Sequence, residues 1–145
     1  QEILRQVDGP IDAFVAGVGT GGTLTGVGEV LKEHFPEVKI VAVEPAKAAI
    51  LSGGPIEHHM QQGIGDGLIP SILNRDIIDE IVVVTDEDAM DTARRLAREE
   101  GLFVGVSSGA NVWASLEIAR RLGKDVTVVT VLPDGGDRYL STGIF

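Results

Sequence analysis

The residues with the most evident chemistry form one short stretch, Gly17-Val18-Gly19-Thr20-Gly21-Gly22-Thr23. It follows an unbroken apolar run, Ala13-Phe14-Val15-Ala16, and opens an amphipathic segment beginning at Leu24. Strand, glycine turn and helix in that order present several backbone N–H groups, with the Thr20 and Thr23 hydroxyls, at the positive end of a helix dipole. That arrangement suits a phosphate. Glycine is required because a side chain keeps the backbone from reaching the anion, and because turn residues often take positive φ.

Two ligand classes fit this spacing. Gly17, Gly19 and Gly22 match the dinucleotide pattern G-x-G-x-x-G, and Glu44 follows about 20 residues on, where a ribose-binding acid is expected. That reading makes the chain a nicotinamide-dinucleotide-binding module. Hydroxyls on both sides of the paired glycines instead suit one compact terminal phosphate. Elsewhere, Ser107-Ser108 read as helix caps, with one hydroxyl left for a ligand. Asp134, Asp137 and Arg138 are expected in an exposed turn with local ion pairing. His58 and His59 are adjacent and diverge on any regular element, so they make a poor metal pair. His34 is a surface residue complementing a helix dipole, and Met90 and Trp113 lie at core spacing. The sequence offers no metal site and no serine–histidine–acid triad.

The elements that must hold these groups alternate. Glu2 to Gln6 reads as a short helix, closed by Asp8-Gly9-Pro10. Ile11 to Val18 is a first strand with no polar alternation, as when both faces are covered. Leu24, Val27, Leu31 and Phe35 recur at helical spacing until Pro36. Gly26 and Gly28 in that helix suggest close approach to the sheet. Lys39 to Val43 is a second strand, ending at Glu44-Pro45, and Ala46 to Leu51 a short helix. Gln61 to Pro70 is glycine-rich, either a functional loop or a flexible connector. Ile81 to Val84 is a third buried strand. Thr85 caps the next helix, with acids in its first turn. Its inner face is Met90, Ala93, Leu96 and Ala97, and Gly101 stops it. Val112, Trp113, Leu116, Ala119 and Leu122 are the packing residues of a last helix, and Val126 to Leu132 is the final strand. The alternation predicts an α/β fold: three αβα layers around a mostly parallel twisted sheet, with ligands beyond the strands' carboxyl ends.

Composition agrees. A chain of 145 residues, 43% hydrophobic, is one domain's worth of core. The net charge of −10 argues against nucleic acid or an anionic membrane as partner. Zero cysteines removes disulfides, thiolate metal sites and cysteine nucleophiles. No apolar run approaches the ~18 residues of a membrane span, and Gln1-Glu2-Ile3-Leu4 does not read as a signal peptide. The expectation is a soluble cytoplasmic domain. The chain starts inside a helix and stops just after a polar loop, so it is expected to be a piece of a longer protein.

Six motifs in order give a more specific reading. They are Val15 to Gly26 around the glycine turn, Val41-Ala42-Val43-Glu44-Pro45, and Gln62-Gly63-Ile64-Gly65-Asp66-Gly67-Leu68-Ile69-Pro70. Then come Thr92-Ala93-Arg94-Arg95-Leu96, Gly105-Val106-Ser107-Ser108-Gly109-Ala110, and Leu132 to Thr142. Together they resemble the cysteine synthase (O-acetylserine sulfhydrylase) family of pyridoxal-phosphate enzymes of fold type II, over essentially all 145 residues. The resemblance implies that Gly19, Thr20, Gly21, Gly22 and Thr23 hold the pyridoxal 5'-phosphate group. It implies that Ser107 hydrogen-bonds the pyridine nitrogen, and that Gly63, Ile64 and Gly65 line the substrate side. The family reaction removes acetate from O-acetylserine and adds sulfide to make cysteine. Cystathionine β-synthase-like enzymes and O-phosphoserine users share these motifs. The family is usually homodimeric and can engage the tail of serine acetyltransferase. Val-Glu-Pro belongs to the same pattern, which weakens Glu44 as a sign of a nicotinamide cofactor. Asp66 stands where alanine is common, and Asp137 where glutamate is common. The family's Schiff-base lysine has no counterpart here: Lys32, Lys39, Lys47 and Lys124 sit in no matching context. No catalytic residue is therefore assigned, and the piece alone is expected to be inactive.

Overall fold

Period-two alternation explains how one apolar strand serves two cores. In the computed structural model, which describes residues 1–145, β1 (Ala13–Gly17) sends Phe14 and Ala16 to one face and Ala13 and Val15 to the other. On the first face they join Ile40 and Ala42 of β2 (Lys39–Pro45) and pack under Leu24 and Leu31 of α2 (Gly22–His34). On the second they join Val41, Val43, Val82 and Val84, beneath α3 (Asp86–Arg95) and α4 (Val106–Leu122). Each fully buried Val, Leu, Ile or Phe contributes about 1.5–3 kcal/mol. The four strands, with β3 at Glu80–Val84 and β4 at Val128–Thr130, are all parallel in the order β3-β2-β1-β4. The α/β layering expected from the alternation is the one observed. A short α1 (Glu2–Gln6) precedes it, and no helix is long and apolar enough to cross a membrane.

Several element limits differ from expectation because side chains set them. The last strand is three residues long, not seven. Asp12 Oδ2 accepts the Thr127 amide at 2.7 Å, and the Val131 carbonyl accepts from Asn111 Nδ2 at 2.9 Å, so the ladder is closed at both ends. Beyond Pro45 there is only a 3₁₀ turn, Ala46–Ala48. The Glu44 carboxylate accepts the Leu51 and Ser52 amides at 2.8 and 3.0 Å, which removes both from any helical ladder. β3 is an edge strand, so Val83 is 40% exposed rather than buried. Thr85 caps α3 as expected, accepting the Asp88 amide at 3.1 Å. After Arg95 the helix widens to a π-turn over Leu96–Glu100 and stops at Gly101, whose φ is +70°.

In α4 the buried face is Ala110, Ala114 and Ile118, and Leu116 is exposed. Small residues decide this. A Cβ on Gly109 would lie 2.0 Å from the Ala89 carbonyl oxygen, so only glycine lets α4 meet α3 so closely, and that contact fixes the rotation of α4. Likewise a Cβ on Gly28 would lie 2.8 Å from Ile77 Cδ1 and 3.2 Å from Ile40 Cγ2, the close approach to the sheet expected there. Gly26 differs: it is exposed, with nothing within 4 Å of such a Cβ.

Candidate functional site

β1 has β2 on one side and β4 on the other, so a crevice opens where its carboxyl end meets the diverging chain. Asn111, 1% exposed, spans it. Its Oδ1 accepts the Gly17 amide at 2.8 Å while its Nδ2 donates to the Val131 carbonyl. Above this bridge lies a cleft of about 330 Å³. Gly19, Thr20, Gly21 and Thr23 form one wall, Gly63 and Ile64 a second, and Ser107, Asp134 and Arg138 a third. Of the predicted site residues, Gly19, Thr20, Gly21, Thr23, Ser107, Gly63 and Ile64 therefore meet in one place, while Gly22 and Gly65 lie outside the lining.

The glycine wall is shaped by contact. A Cβ on Gly19 would lie 2.2 Å from the Gly63 carbonyl oxygen, and one on Gly17 would lie 2.8 Å from Ile64 Cγ2. Gly21, with φ +84°, occupies the N-cap of α2 and has no capping side chain. The amides of Gly19, Thr20, Gly21 and Thr23 donate to no protein atom, and that of Gly22 has only the Thr20 hydroxyl at 3.5 Å. Backbone donors left free at a helix N-terminus, within reach of two threonine hydroxyls, are what a phosphate monoester needs. The facing loop turns through Gly63 and Gly65, with φ of +87° and +69°, and is tied to β1 where the Gly65 amide donates to the Val18 carbonyl at 3.0 Å.

Neither serine caps α4. The N-cap is Gly105, and Ser107 and Ser108 sit inside the first turn, 3% and 0% exposed. The Asp134 carbonyl accepts the Gly105 amide at 3.1 Å, which sets the helix start. Ser107 lines the cleft, whereas Ser108 Oγ is buried and unpartnered. Asp134 is likewise not an ion-paired turn residue. Its Oδ2 accepts the Tyr139 hydroxyl at 2.6 Å, and its Oδ1 is buried without a partner. Burial, then the bond to Asp134, pushes the Tyr139 phenol up to about 12. Arg138 lines the cleft and pairs with neither Asp134 nor Asp137.

Glu44 is not available to a ribose. It is 2% exposed, and both its oxygens are taken by Leu51 and Ser52. The structure thus removes the acid on which the dinucleotide reading depended. A further network, invisible in the sequence, steadies the approach to the Gly63 loop. Buried Gln61 donates to the Val84 carbonyl at 2.9 Å and to Asp86 Oδ1 at 3.2 Å, and Lys47 reaches Asp86 Oδ2 at 3.2 Å. Burial raises the Asp86 pKa, but the Met60 amide, Gln61 and Lys47 outweigh it, and the net shift is downward. Asn111 and Gln61 escaped sequence reading because their partners lie 94 and 23 residues away in the chain. No three His, Asp or Glu residues come together as metal ligands. His34 Nδ1 lies 2.9 Å from the Val30 carbonyl, at the end of α2.

The chain is similar to known proteins in sequence and in fold. A cysteine synthase from Staphylococcus aureus is 53% identical over 145 residues, 99% of this chain and 47% of that protein. The crystal structure of an O-ureido-L-serine synthase superposes with a TM-score of 0.93 at 44% identity, over 99% of this chain and 46% of that one. An O-acetylserine sulfhydrylase isoform from Entamoeba histolytica gives 0.92 at 43% identity, over 99% and 43%. The chain spans about half the length of the relatives it matches. The family described as pyridoxal-phosphate dependent enzymes matches residues 1–134. With its fold type II architecture, its free-amide cradle and that match, the chain belongs to the family of pyridoxal-phosphate dependent enzymes.

Proposed function

We propose that residues 1–145 form one domain, the cofactor-phosphate-binding part of a cysteine synthase that makes L-cysteine from O-acetylserine and sulfide. The observation carrying this reading is the row of unpartnered amides at Gly19, Thr20, Gly21 and Thr23, in one cleft with Ser107 and Gly63. Pyridoxal phosphate supplies an electron sink that lets a β-substituent leave an amino acid. This chain's own work is binding and orientation. The amides of residues 19–23 and the Thr20 and Thr23 hydroxyls hold the phosphate oxygens. Ser107 offers a neutral hydroxyl to the ring nitrogen, and the Gly63-Ile64-Gly65 loop walls the substrate side. The Schiff-base lysine comes from segments corresponding to the other half of the relatives' length, so the chain alone is inactive. The complete enzyme is a cytoplasmic homodimer able to engage the tail of serine acetyltransferase.

The test is cysteine formation by the full-length protein from sulfide and either O-acetylserine or O-phosphoserine. O-Acetylserine is expected to change the visible absorbance of the bound cofactor and to yield cysteine. A response to O-phosphoserine alone sinks the substrate assignment. Failure to bind pyridoxal phosphate at all sinks the reading of the cradle.

A further inference from the structure

The wall formed by Gly63, Ile64 and Gly65 is held from beneath by one imidazole. His59 Nδ1 faces the Gln61 amide at 3.2 Å, and its Nε2 faces the Gly65 carbonyl at 3.1 Å. An amide N–H can only donate and a carbonyl can only accept, so the ring must accept at Nδ1 and donate at Nε2. That is a single neutral tautomer. Through it, His59 closes the loop between its entrance at Gln61 and its exit at Gly65. The Gly65 amide, on the other side of the same residue, is fixed to the Val18 carbonyl of the chain leaving β1. The join is tight, since a Cβ on Gly65 would lie 2.7 Å from Pro45 Cγ and 3.1 Å from His59 Nε2.

We infer that His59 is a positioning residue for the substrate-side wall, and that its neutral Nε2–H form latches the Gly63–Gly65 loop over the cleft. Protonation turns Nδ1 into a second donor, facing the Gln61 N–H donor. The ring must then leave, and the Gly65 carbonyl loses its partner. The latch therefore needs the neutral ring, and a doubly protonated ring cannot make both contacts. Close in the chain, Glu57 and His58 precede the ring on its own segment and Asp66 follows Gly65. Asp86, with its partner Lys47, meets Met60 and Gln61, the residues that follow the ring. The Asp86 carboxylate is already committed to Met60, Gln61 and Lys47, so it is not free to hold a protonated His59 in place.

The inference rests on the proposed use of the cleft, and its test separates the two. In full-length holoenzyme carrying ¹⁵N-labelled histidine, the ring nitrogens of His59 are expected to show Nδ1 bare and Nε2 protonated at neutral pH. The His59→Gln spectrum supplies the assignment. An Nδ1–H ring at neutral pH overturns the latch, whatever the substrate. The second measurement is the KM for O-acetylserine from about pH 8 to about pH 5. For the natural enzyme it should rise about three- to tenfold, the value of one hydrogen bond, with kcat changing less. His59→Gln, whose amide accepts and donates but does not ionise, should flatten that rise, whereas His59→Phe should show a high KM throughout. A His59→Gln enzyme that keeps the natural pH slope also overturns the inference. If O-acetylserine proves not to be a substrate, the substrate assignment fails alone, and the ring nitrogens still decide the latch.

Discussion

Asn111 is the side chain on which most of the cleft floor depends. Replacing it by leucine leaves the Gly17 N–H and the Val131 carbonyl without their partner in a buried place, at about 1–3 kcal/mol for each group. Asn111→Leu should therefore lower the midpoint of urea unfolding without changing its slope; an unchanged midpoint would show the bridge to be dispensable. Tyr139 gives a prediction with a sign. Its folded value, about 12, lies above the ordinary phenol value of about 10. The neutral phenol therefore contributes stability that is fully present below about pH 10 and lost as pH rises toward about 12. Tyr139→Phe should remove that alkaline component and cost about 1–3 kcal/mol at neutral pH, because Asp134 then loses its donor. Unfolding midpoints of both proteins between about pH 8 and 11 check it.

For helices and strands, the sequence was legible wherever the local pattern had one solution. The apolar runs at Ala13–Ala16 and Lys39–Val43 could only be covered strands, and Thr85 with its acids could only be a helix start. What escaped reading was where elements stop, because those limits are set by carboxylates and amides from distant parts of the chain. Asp12 accepts the amide of Thr127, 115 residues later and just before β4. The face of α4 was read only in part: Trp113 and Leu122 pack against the core, but Ala110, Ala114 and Ile118 form its buried centre and Leu116 is exposed, a rotation set by Gly109 against Ala89. The two glycines of α2 look alike in sequence and should behave oppositely. Gly26→Ala has open space and should stabilise by about 0.5–1 kcal/mol through helix propensity. Gly28→Ala must displace Ile77 and Ile40 and should destabilise by about 1–3 kcal/mol. Thermal unfolding of the two variants, with shifts of opposite direction, tests the distinction.

Across the fold as a unit, the cleft lies where the sheet's connections part: two of its walls come from segments leaving β strands or entering α helices, and the Gly63-Ile64 wall comes from the irregular connection between β2 and β3. That placement was legible before the geometry was known, since the glycine turn, the paired serines and the Asp-Gly-Gly loop each follow an apolar run. One of its tightest contacts is Gly19 against Gly63. Gly19→Ala sets a methyl group against a backbone oxygen that cannot rotate away, so it should weaken pyridoxal-phosphate binding by the full-length protein at least about tenfold. Equilibrium dialysis of the cofactor measures it, and unaltered retention would mean that the two walls separate more easily than their packing suggests.

On the proposed reading, the anchoring surface would owe its grip to peptide groups, which every residue carries alike. A lineage can therefore exchange most of the surrounding side chains without losing its hold on the cofactor, provided a few positions stay bare. Choice among amino-acid substrates has to be written somewhere else. Such a division of labour would fit a chain similar over 99% of its length both to a protein named for cysteine and to one named for O-ureido-L-serine.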